Sequence, residues 1–345
     1  MAYSRLEKAL HRLALGSDAV AEISFQIDQQ IAGGDPGRVA DGAHVFVCGF
    51  ARAGTTVLMR RLHETGAFRS LTYADMPFVL APNLWGRIRG GAGASPMEER
   101  AHGDGILVNA SSPEGLEEVF WRVFAGDAYL GADGLRPHEP DPDLIRRFRA
   151  YVGALLGPGG QRYLSKNNNS ILRLGALSRA FPKAAILVPF RAPLAHAGSL
   201  LAQHQRFTAR HAGDRFSREY MTWLGHHEFG AEHRPFLLPP DVAPPVRAEA
   251  GTLGYWLERW IEVYSWLLDT APEACVFVCY EDLCTDLGVW EAIADRLGLP
   301  DAPAETDFIL KNTPHVSGPD LDEITKRADQ IYDRLRARAL QSDQP

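Results

Sequence analysis

Residues 44–62, HVFVCGFARAGTTVLMRRL, pass from an apolar segment through a turn with two glycines into a segment of helical character. The apolar run at 45–48 predicts a strand that is buried on both faces, as strands of parallel sheets are. Gly49 and Gly54 have the separation of the glycines in the phosphate-binding pattern G-x-x-x-x-G-K-[ST], but Thr55 stands at the lysine position. The stretch predicts a strand, an anion-binding loop and a helix, without the usual lysine.

An arginine inside the loop, Arg52, takes the place of the missing positive charge. Thr55 and Thr56 add two hydroxyl groups, and the first turn of the helix points backbone N–H groups toward an anion. The sequence has no clear strand ending in the aspartate that holds magnesium in nucleotide hydrolases. We therefore expect a phosphorylated nucleotide that is neutralised by arginine and no bound metal. The predicted binding residues of this loop are Gly49, Arg52, Ala53, Gly54, Thr55 and Thr56.

Strands alternate with helices along much of the chain. Residues 162–207 predict the order strand, turn, helix, strand, turn, helix, residues 252–272 predict a long aromatic helix, and residues 274–283 predict another strand. Such alternation favours a central parallel sheet with helices on both faces. We expect one P-loop-like three-layer α/β/α domain over residues 1–345, with its core at about 44–300.

Other segments carry narrower predictions. Residues 208–250 interrupt the alternation and are interpreted as a surface insertion or lid, whereas 321–340 predict an amphipathic C-terminal helix. The stretch SPEGLEEVFWRVF predicts a helix that begins at Ser112, with proline at its first position. The glycine-rich segment 82–106 is expected to be irregular. Pro189 within a strand pattern predicts an edge strand or a bulge.

The stretch GFARAGTT resembles the 5′-phosphosulfate loop of sulfotransferases, usually written G-x-P-R-S-G-T-T. The arginine, the second glycine and both threonines match, whereas Ala51 and Ala53 replace the usual proline and serine. Ala53 lacks the hydroxyl that serine would offer to the phosphosulfate. The resemblance implies the donor 3′-phosphoadenosine 5′-phosphosulfate (PAPS), in-line transfer of its sulfuryl group to an acceptor hydroxyl or amine, and the product PAP.

A second motif follows in AAILVPFRAPLAHAGSLL, where a strand ends at Phe190, Arg191 comes next, and Ser199 lies eight residues further on. In sulfotransferases an arginine and a serine at this spacing hold the 3′-phosphate of PAPS, and the guanidinium fork suits a phosphate. Ala192 stands where the family often has aspartate or asparagine. The order and spacing of the two motifs, within a resemblance that covers about 44–300, support the assignment.

The stretch SKNNNSILRLG resembles the K-N-x stretch of the same family, which implies that Lys166 reaches the bridging oxygen or the sulfuryl group. For Asn168 and Asn169, contact with a substrate and capping of a helix remain equally open. Arg173 is expected to face solvent. Together with Arg52, Lys166 is the predicted source of charge for the leaving group.

The general base has several candidates. Some sulfotransferases carry an acidic base a little over twenty residues beyond the loop arginine, and Asp75 lies 23 residues beyond Arg52. His102 is the second candidate because histidine titrates near neutral pH, and Asp104 beside it could orient the ring. Asp75 is preferred. Glu117 or Glu118 is the third candidate, although the charged face of a helix explains these glutamates more readily, and His204 is the fourth.

The acceptor is predicted to lie against aromatic and apolar side chains close to the loop, walled in part by the 208–250 insertion. A lipid, phenolic, sterol-like or glycolipid alcohol would suit such a pocket, although simple core packing explains the aromatic residues equally well. The predicted contacts are Phe78, Trp85, Glu118 and His204, with Met76, Leu80, Phe120 and Trp121 as further wall residues.

Charge and composition exclude other classes. The net charge of -7 disfavours a general nucleic-acid binder. Four cysteines without a C-x-x-C pair disfavour zinc and predict reduced, mostly buried thiols. The first twenty residues do not have the apolar core of a signal peptide, and no run of 18 apolar residues occurs, so we expect a cytoplasmic protein. The resemblance to sulfotransferases implies a member of bacterial type. Homo-oligomerisation stays open.

Two alternative functions remain. A P-loop nucleotide kinase would need the lysine and magnesium carboxylates that the pattern does not supply. A protein that binds PAP or PAPS without turnover is compatible with the substitutions at Ala51, Ala53 and Ala192. A metal hydrolase built on the histidines of 226–233 is disfavoured by their spacing, and a solvated loop is the better interpretation of that stretch.

Overall fold

The computed structural model describes residues 3–32, 36–90, 97–99, 106–159, 161–239, 249–299, 308–309 and 319–342. The helices of this part of the chain are α1 (Arg5–Gly16), α2 (Asp18–Ala32), α3 (Pro36–Ala40), α4 (Thr55–Glu64), α5 (Pro82–Arg89), α6 (Glu118–Tyr129), α7 (Pro142–Leu156), α8 (Leu174–Ala180), α9 (Pro193–Gly213), α10 (Arg215–Trp223), α11 (Leu253–Thr270), α12 (Tyr280–Thr285), α13 (Leu287–Leu297) and α14 (Pro319–Arg338). Its strands are β1 (Val45–Val47), β2 (Phe68–Arg69), β3 (Glu98–Glu99), β4 (Leu107–Val108), β5 (Arg162–Lys166), β6 (Ala185–Phe190) and β7 (Cys275–Cys279). Short 3-10 helices cover Tyr73–Asp75 and Asn168–Arg173.

Five strands form a parallel sheet in the order β2-β5-β1-β6-β7. β1 is central, and its last residue, Val47, is paired with Lys166 of β5 on one side and with Leu187 of β6 on the other. The predicted parallel α/β sheet is confirmed. The strands β3 and β4 form a separate antiparallel pair.

Helices cover both faces of the sheet, because successive side chains of a strand point to opposite sides. Phe46 belongs to a large core that also holds Trp121, Trp256 and Trp260. Val45 and Val47, together with Leu58 of α4 and Trp290 of α13, belong to a second core on the other face. All three residues of β1 are at most 1% exposed, as predicted for a strand of a parallel sheet. The three-layer arrangement follows from this two-sided burial.

The prediction that Pro189 marks an edge strand or bulge is wrong, since β6 lies between β1 and β7. The reason is the shortness of β1. Cys48 donates its N–H to Leu187 O over 2.9 Å, and Pro189 lies two residues later on the same side of its strand. There β1 has already become the loop, so the N–H that proline lacks is not needed for the ladder. The carbonyl of Pro189 instead accepts a hydrogen bond of 3.2 Å from the Tyr264 hydroxyl.

The predicted helix from Ser112 is also wrong in its start, because α6 begins at Glu118. The intervening backbone pairs with the segment after β2: Glu114 N–H donates to Leu71 O over 3.0 Å, and Tyr73 N–H donates to Ser112 O over 3.2 Å. These tertiary hydrogen bonds replace the helical ones that the local pattern predicts.

The segment 82–106, expected to be irregular, contains the helix α5. Its N-cap residue, Ala81, offers no side-chain cap. The buried Asp28 of α2 performs this function, since its carboxylate accepts from Leu84 N–H over 2.6 Å and from the Asn83 amide over 3.0 Å. A cap supplied from another helix is invisible to a local sequence pattern.

The predicted C-terminal helix is present as α14, and it begins two residues earlier than expected. The 208–250 segment is helical up to Trp223, as the end of α9 followed by α10. The four cysteines are free, and Cys48 and Cys279 are buried. Within the described part of the chain, no helix combines the length and apolar character that crossing a membrane requires.

Replacing Gly54 by alanine should destabilise the fold more than an ordinary glycine replacement. Gly54 has φ +91°, and a Cβ there would overlap the buried ring of Tyr280. Gly66→Ala is the matched control, because Gly66 has φ +75° and open space around a Cβ. We expect a loss of about 1 kcal/mol in the free energy of unfolding for the control, from backbone strain. For Gly54→Ala we expect a further loss of about 1–3 kcal/mol, from the clash. Urea unfolding measures both, and equal losses would contradict the role of the Tyr280 contact.

Candidate active site

The carboxyl ends of three neighbouring strands place the predicted phosphate-handling residues at one edge of the sheet. β1 continues into the loop 49–56, β5 ends at Lys166, and β6 ends one residue before Arg191. The register makes the ends of β1 and β5 level, because Val47 pairs with Lys166, whereas β6 continues three residues beyond Leu187, the partner of Val47. In open parallel sheets ligands bind at this edge, so the topology unites residues that are far apart in sequence.

The loop is held in a sharply turned conformation. Arg52 has φ +71°, which is uncommon for a residue other than glycine, and Gly54 has φ +91°. Ala53 N–H donates to Phe50 O over 3.2 Å, and the buried His196 of α9 donates from Nε2 to Ala51 O over 2.7 Å. The loop is therefore fixed from within and from the helix beneath it, which favours a preorganised site.

His196 is neutral in this position. Burial, assisted by the charges of Arg191 and Arg52, lowers its pKa to about 3, although the bond to the Ala51 carbonyl acts in the opposite direction. A neutral ring avoids adding a third positive charge beneath the loop. His196 is thus a positioning residue for the loop backbone.

A direct hydrogen bond joins the two predicted phosphate motifs. Nε of Arg52 donates to Oγ of Ser199 over 3.2 Å, across 147 residues of sequence. Arg52 keeps its left-handed conformation with the guanidinium turned toward α9. The loop and the second motif are accordingly parts of one site.

Arg191 is held nearby and is 7% exposed. Its Nε lies 3.9 Å from Oε1 of Glu281, and its carbonyl accepts from Trp260 Nε1 over 3.2 Å. The same Glu281 oxygen accepts from Ala192 N–H over 3.0 Å. Glu281, at the start of α12, therefore orients both Arg191 and the start of α9.

A cavity of about 420 Å³ opens beside the loop. Its polar end is formed by Arg52, Thr55, Thr56, Lys166 and Asn168, and the far walls come from α1, α9, α10 and the segment after α10. The remaining lining residues are Tyr3, Lys8, Ala51, Tyr73, Glu99, Val108, Glu114, Leu116, Phe207, Arg210, Asp214, Phe216, Ser217, Tyr220, Met221, Leu224, His226, Glu228 and Phe229. The size is that of a small-molecule pocket.

The asparagines after β5 connect the loop with the cavity wall. Asn168 Oδ1 accepts from the Thr55 hydroxyl over 3.4 Å, and its amide donates to Glu228 Oε1 over 2.8 Å. Asn169 donates to Gly225 O over 3.0 Å. The capping role falls instead on Asn167, whose side chain accepts from Asn169 N–H over 3.1 Å.

Four acidic residues of the cavity, Glu99, Glu114, Asp214 and Glu228, are not among the residues predicted from sequence, and two of them have contacts that bear on the site. Glu114 accepts from the Tyr73 hydroxyl over 2.7 Å. Glu228 lies 3.3 Å from Nδ1 of His226, and its side chain is 8% exposed. Burial would raise the pKa of Glu228, but His226, Lys166 and the Asn168 amide outweigh burial and lower it. The only sequence signal was the cluster of histidines at 226–233, which was interpreted as a solvated loop.

Several predicted residues lie elsewhere. Asp75 is outside the cavity lining of the described residues; its carboxylate accepts from Thr72 N–H over 2.7 Å and pairs with Arg69 at 3.2 Å. His102 and Asp104 lie outside the described residues. All four predicted acceptor contacts are also outside the described cavity lining: Phe78, Trp85, Glu118 and His204.

These four residues have other contacts. Phe78 packs against Trp85 with ring centroids 5.3 Å apart, and the His204 ring lies 5.5 Å from that of Trp256. Burial lowers the pKa of His204. The other predicted wall residues, Met76, Leu80, Phe120 and Trp121, belong to the large core.

The expectation that Arg173 faces solvent is wrong. Its side chain is 0% exposed and pairs with the equally buried Glu118 at 2.9 Å. Burial opposes the charge of Glu118, but Arg173 and hydrogen bonds from Tyr129 and Asn167 lower its pKa nevertheless. Glu117, the neighbouring candidate base, accepts from Trp121 Nε1 over 3.0 Å and from the Tyr163 hydroxyl over 2.9 Å. Both glutamates are structural in these contacts.

The sequence profile described as "Sulfotransferase family" matches residues 44–247, which include the loop, Lys166 and both residues of the second motif. The chain belongs to the sulfotransferase family. The match to the sulfotransferase profile ends in the segment after α10, so it also covers His226 and Glu228. A search of curated proteins gives no match to the chain.

Solved sulfotransferases are distantly similar. STF1 from Mycobacterium tuberculosis is 15% identical with a TM-score of 0.49, and the alignment covers 97% of this chain and 87% of that one. STF9 from Mycobacterium avium is 15% identical with a TM-score of 0.45, covering 94% and 75%. A sulfotransferase from Alicyclobacillus acidocaldarius is 17% identical with a TM-score of 0.40, covering 85% and 94%.

Replacing Glu118 by glutamine should lower the free energy of unfolding by about 3–5 kcal/mol, because the buried Arg173 would lose its charged partner. Asp41→Asn is the control, since Asp41 pairs with Lys183 where both side chains are more than half exposed. Its effect should stay within about 1 kcal/mol. Urea unfolding at neutral pH distinguishes the two. A stable Glu118→Gln variant with impaired ligand binding would instead restore the predicted acceptor role of Glu118.

Proposed function

We propose that this sulfotransferase transfers the sulfuryl group of PAPS to a hydroxyl, or an amine, of a small-molecule acceptor. The observation that carries the proposal is the hydrogen bond from Arg52 to Ser199, which unites the two phosphate motifs beside a cavity. The chain belongs to the sulfotransferase family. The donor PAPS and the kind of acceptor are proposed from the arrangement of these residues.

The donor set fits a nucleotide with two separate phosphate groups. Arg52 and Lys166 adjoin the loop, and Arg191 follows the neighbouring strand. Thr55, Thr56 and Ser199 supply hydroxyl groups, and the first turn of α4 supplies backbone N–H groups. PAPS, when bound, supplies the sulfuryl group and an anionic leaving group. A loop that uses arginine in place of the P-loop lysine suits this ligand better than a magnesium nucleotide.

Each group of residues has its own part in the reaction. Arg191 and Ser199 bind the 3′-phosphate, whereas Thr55 and Thr56 orient the phosphosulfate. Arg52 and Lys166 offset the negative charge that develops on the leaving phosphate. The buried His196 and the tight loop hold these donors in place before the reaction, so little reorganisation is needed.

The cavity supports an acceptor of small size. Its volume of about 420 Å³ suits a small molecule or one end of a longer one. Aromatic side chains from the residues before α1 and from α10, among them Tyr3, Phe216 and Tyr220, line the part away from the loop. Polar and charged residues lie next to the loop. An acceptor with a hydroxyl at one end and an apolar or aromatic body, such as a phenolic or lipid alcohol, matches this distribution.

Calorimetric titration with PAP tests the donor site. We expect binding that does not require magnesium, and a 10- to 150-fold weaker affinity for Arg52→Ala and for Arg191→Ala. This corresponds to about 1.5–3 kcal/mol for a hydrogen bond to a charged group. Arg179→Ala is the control, because Arg179 is 65% exposed and pairs with Glu139 on the surface. Its affinity should match the wild type.

Two results would oppose the proposal. Magnesium-dependent binding of ATP without binding of PAP would favour a kinase. Binding of PAP with no turnover of PAPS in the presence of any acceptor of a broad alcohol and phenol panel would favour a non-catalytic binding protein.

A further inference from the structure

Next to the loop, the cavity wall carries a histidine that is paired with a carboxylate. Nδ1 of His226 lies 3.3 Å from Oε2 of Glu228, and both residues line the cavity. They follow α10, in the segment that the sequence reasoning interpreted as a solvated loop. We infer that His226 is the general base that accepts the proton of the acceptor hydroxyl, and that Glu228 positions its ring. This inference rests on the proposed sulfuryl transfer.

The chemistry of the pair selects one ring nitrogen. An ionised carboxylate can only accept a hydrogen bond, so Nδ1 of His226 must carry the proton that faces Glu228. The other nitrogen, Nε2, then has the lone pair that a base requires. Glu228 itself is less suited as the base, because one of its oxygens faces Nδ1 of His226 and the other accepts from the Asn168 amide. The same arrangement of a carboxylate that orients an imidazole recurs in hydrolytic enzymes.

The backbone and the asparagines fix the pair in place. His226 N–H donates to Met221 O over 2.9 Å, and Asn169 holds the adjacent Gly225 carbonyl over 3.0 Å. The Asn168 amide holds the second oxygen of Glu228 over 2.8 Å. The pair is thus fastened to the end of β5, where Lys166 is located.

Asn168 also connects the pair with the phosphate loop through the Thr55 hydroxyl. The proposed base and the proposed donor cradle therefore share one amide. This proximity is what in-line transfer needs, because the acceptor oxygen must lie between the base and the sulfur atom.

In the proposed transfer, a bond forms between the acceptor oxygen and sulfur. The bond from sulfur to the bridging phosphate oxygen breaks, and its electron pair leaves with PAP. The hydroxyl proton passes to Nε2 of His226 and is then released to water. Arg52 and Lys166 offset the charge left on the phosphate.

Two other candidate carboxylates, one in the cavity and one outside it, already have hydrogen-bond partners. Glu114 is engaged by the Tyr73 hydroxyl and by Gly115 N–H. Asp75, the preferred base from sequence, is engaged by Thr72 and Arg69. Lys166 and His227 interact electrostatically with the pair. Among the described residues, the other charged side chains that line the same cavity are Lys8, Arg52, Glu99, Glu114, Arg210 and Asp214.

Nitrogen NMR of the full chain labelled with ¹⁵N-histidine tests the pair without an acceptor. Long-range ¹H–¹⁵N correlations, assigned with His226→Gln, should show the neutral ring protonated on Nδ1. Glu228→Gln should shift the ring toward the Nε2-protonated form that predominates in peptides. Protonation of His226 on Nε2 in the wild type, or no change in Glu228→Gln, would overturn the inference.

Turnover tests the catalytic role. The release of PAP from PAPS is measured with 2-naphthol as the probe acceptor. If the wild type does not sulfate 2-naphthol, the hydrolysis of PAPS by water is measured instead. His226→Gln should lower kcat by about 10²- to 10⁴-fold, as loss of a general base does. Glu228→Gln should lower kcat while the KM for the acceptor stays nearly unchanged, because the ring is then less well oriented. A merely structural role would change KM and the affinity for PAP together with kcat.

Calorimetry with PAP distinguishes a failure of the proposed sulfotransferase function from a failure of the proposed role of His226. Both variants should bind PAP within about twofold of the wild type. His63→Gln is the matched control, since His63 lies near the far end of α4 and should keep full turnover. If the wild type does not bind PAP, the proposed function fails, whereas normal PAP binding with unchanged turnover in His226→Gln overturns only the role of His226.

Discussion

The parallel pairing of β1 with β5 and β6 is the constraint on which the site depends. Val47 is in register with Lys166 on one side, so β1 and β5 end together, and with Leu187 on the other, three residues before β6 ends. A shift of one residue in the β1–β5 pairing would move Lys166 relative to the loop and turn its side chain to the other face. Burial of Val45 and Val47 on one face and of Phe46 on the other opposes such a shift. The geometry of the site is thus a consequence of core packing.

The loop, the parallel sheet and the second phosphate motif could be predicted from the sequence because the residues that determine each of them lie within short stretches of chain. Residues whose role depends on distant partners were predicted poorly. The cap of α5 comes from Asp28, and Arg173 is buried because Glu118 lies opposite it. The spacing that favoured Asp75 carries no information on whether Thr72 and Arg69 occupy its carboxylate. Local patterns describe backbone conformation well, whereas the environment of a charge is set by tertiary contacts.

Three consecutive asparagines illustrate how one short element can organise both sides of a site. Asn167 contacts the buried Glu118, Asn168 joins Thr55 with Glu228, and Asn169 holds Gly225. An amide can donate and accept at once without carrying a charge, so it can link a cationic loop with an anionic wall. A lysine or a carboxylate at position 168 could satisfy only one of these partners. The alternatives left open from sequence, capping and contact with the site, are therefore divided among neighbouring residues.

The part of the cavity away from the loop is built differently, from contacts between the amino-terminal segment and α10. Arg12 pairs with Glu219 at 2.8 Å, and because this ion pair is partly exposed it contributes little to stability. Ring packing contributes more: Tyr3 lies against the rings of Phe216 and Tyr220. The donor end is consequently anchored in the sheet, while the far end of the cavity depends on packing between elements outside the sheet. On the proposed function, substitutions in this packing would alter the acceptor end of the cavity and leave the phosphate loop unchanged.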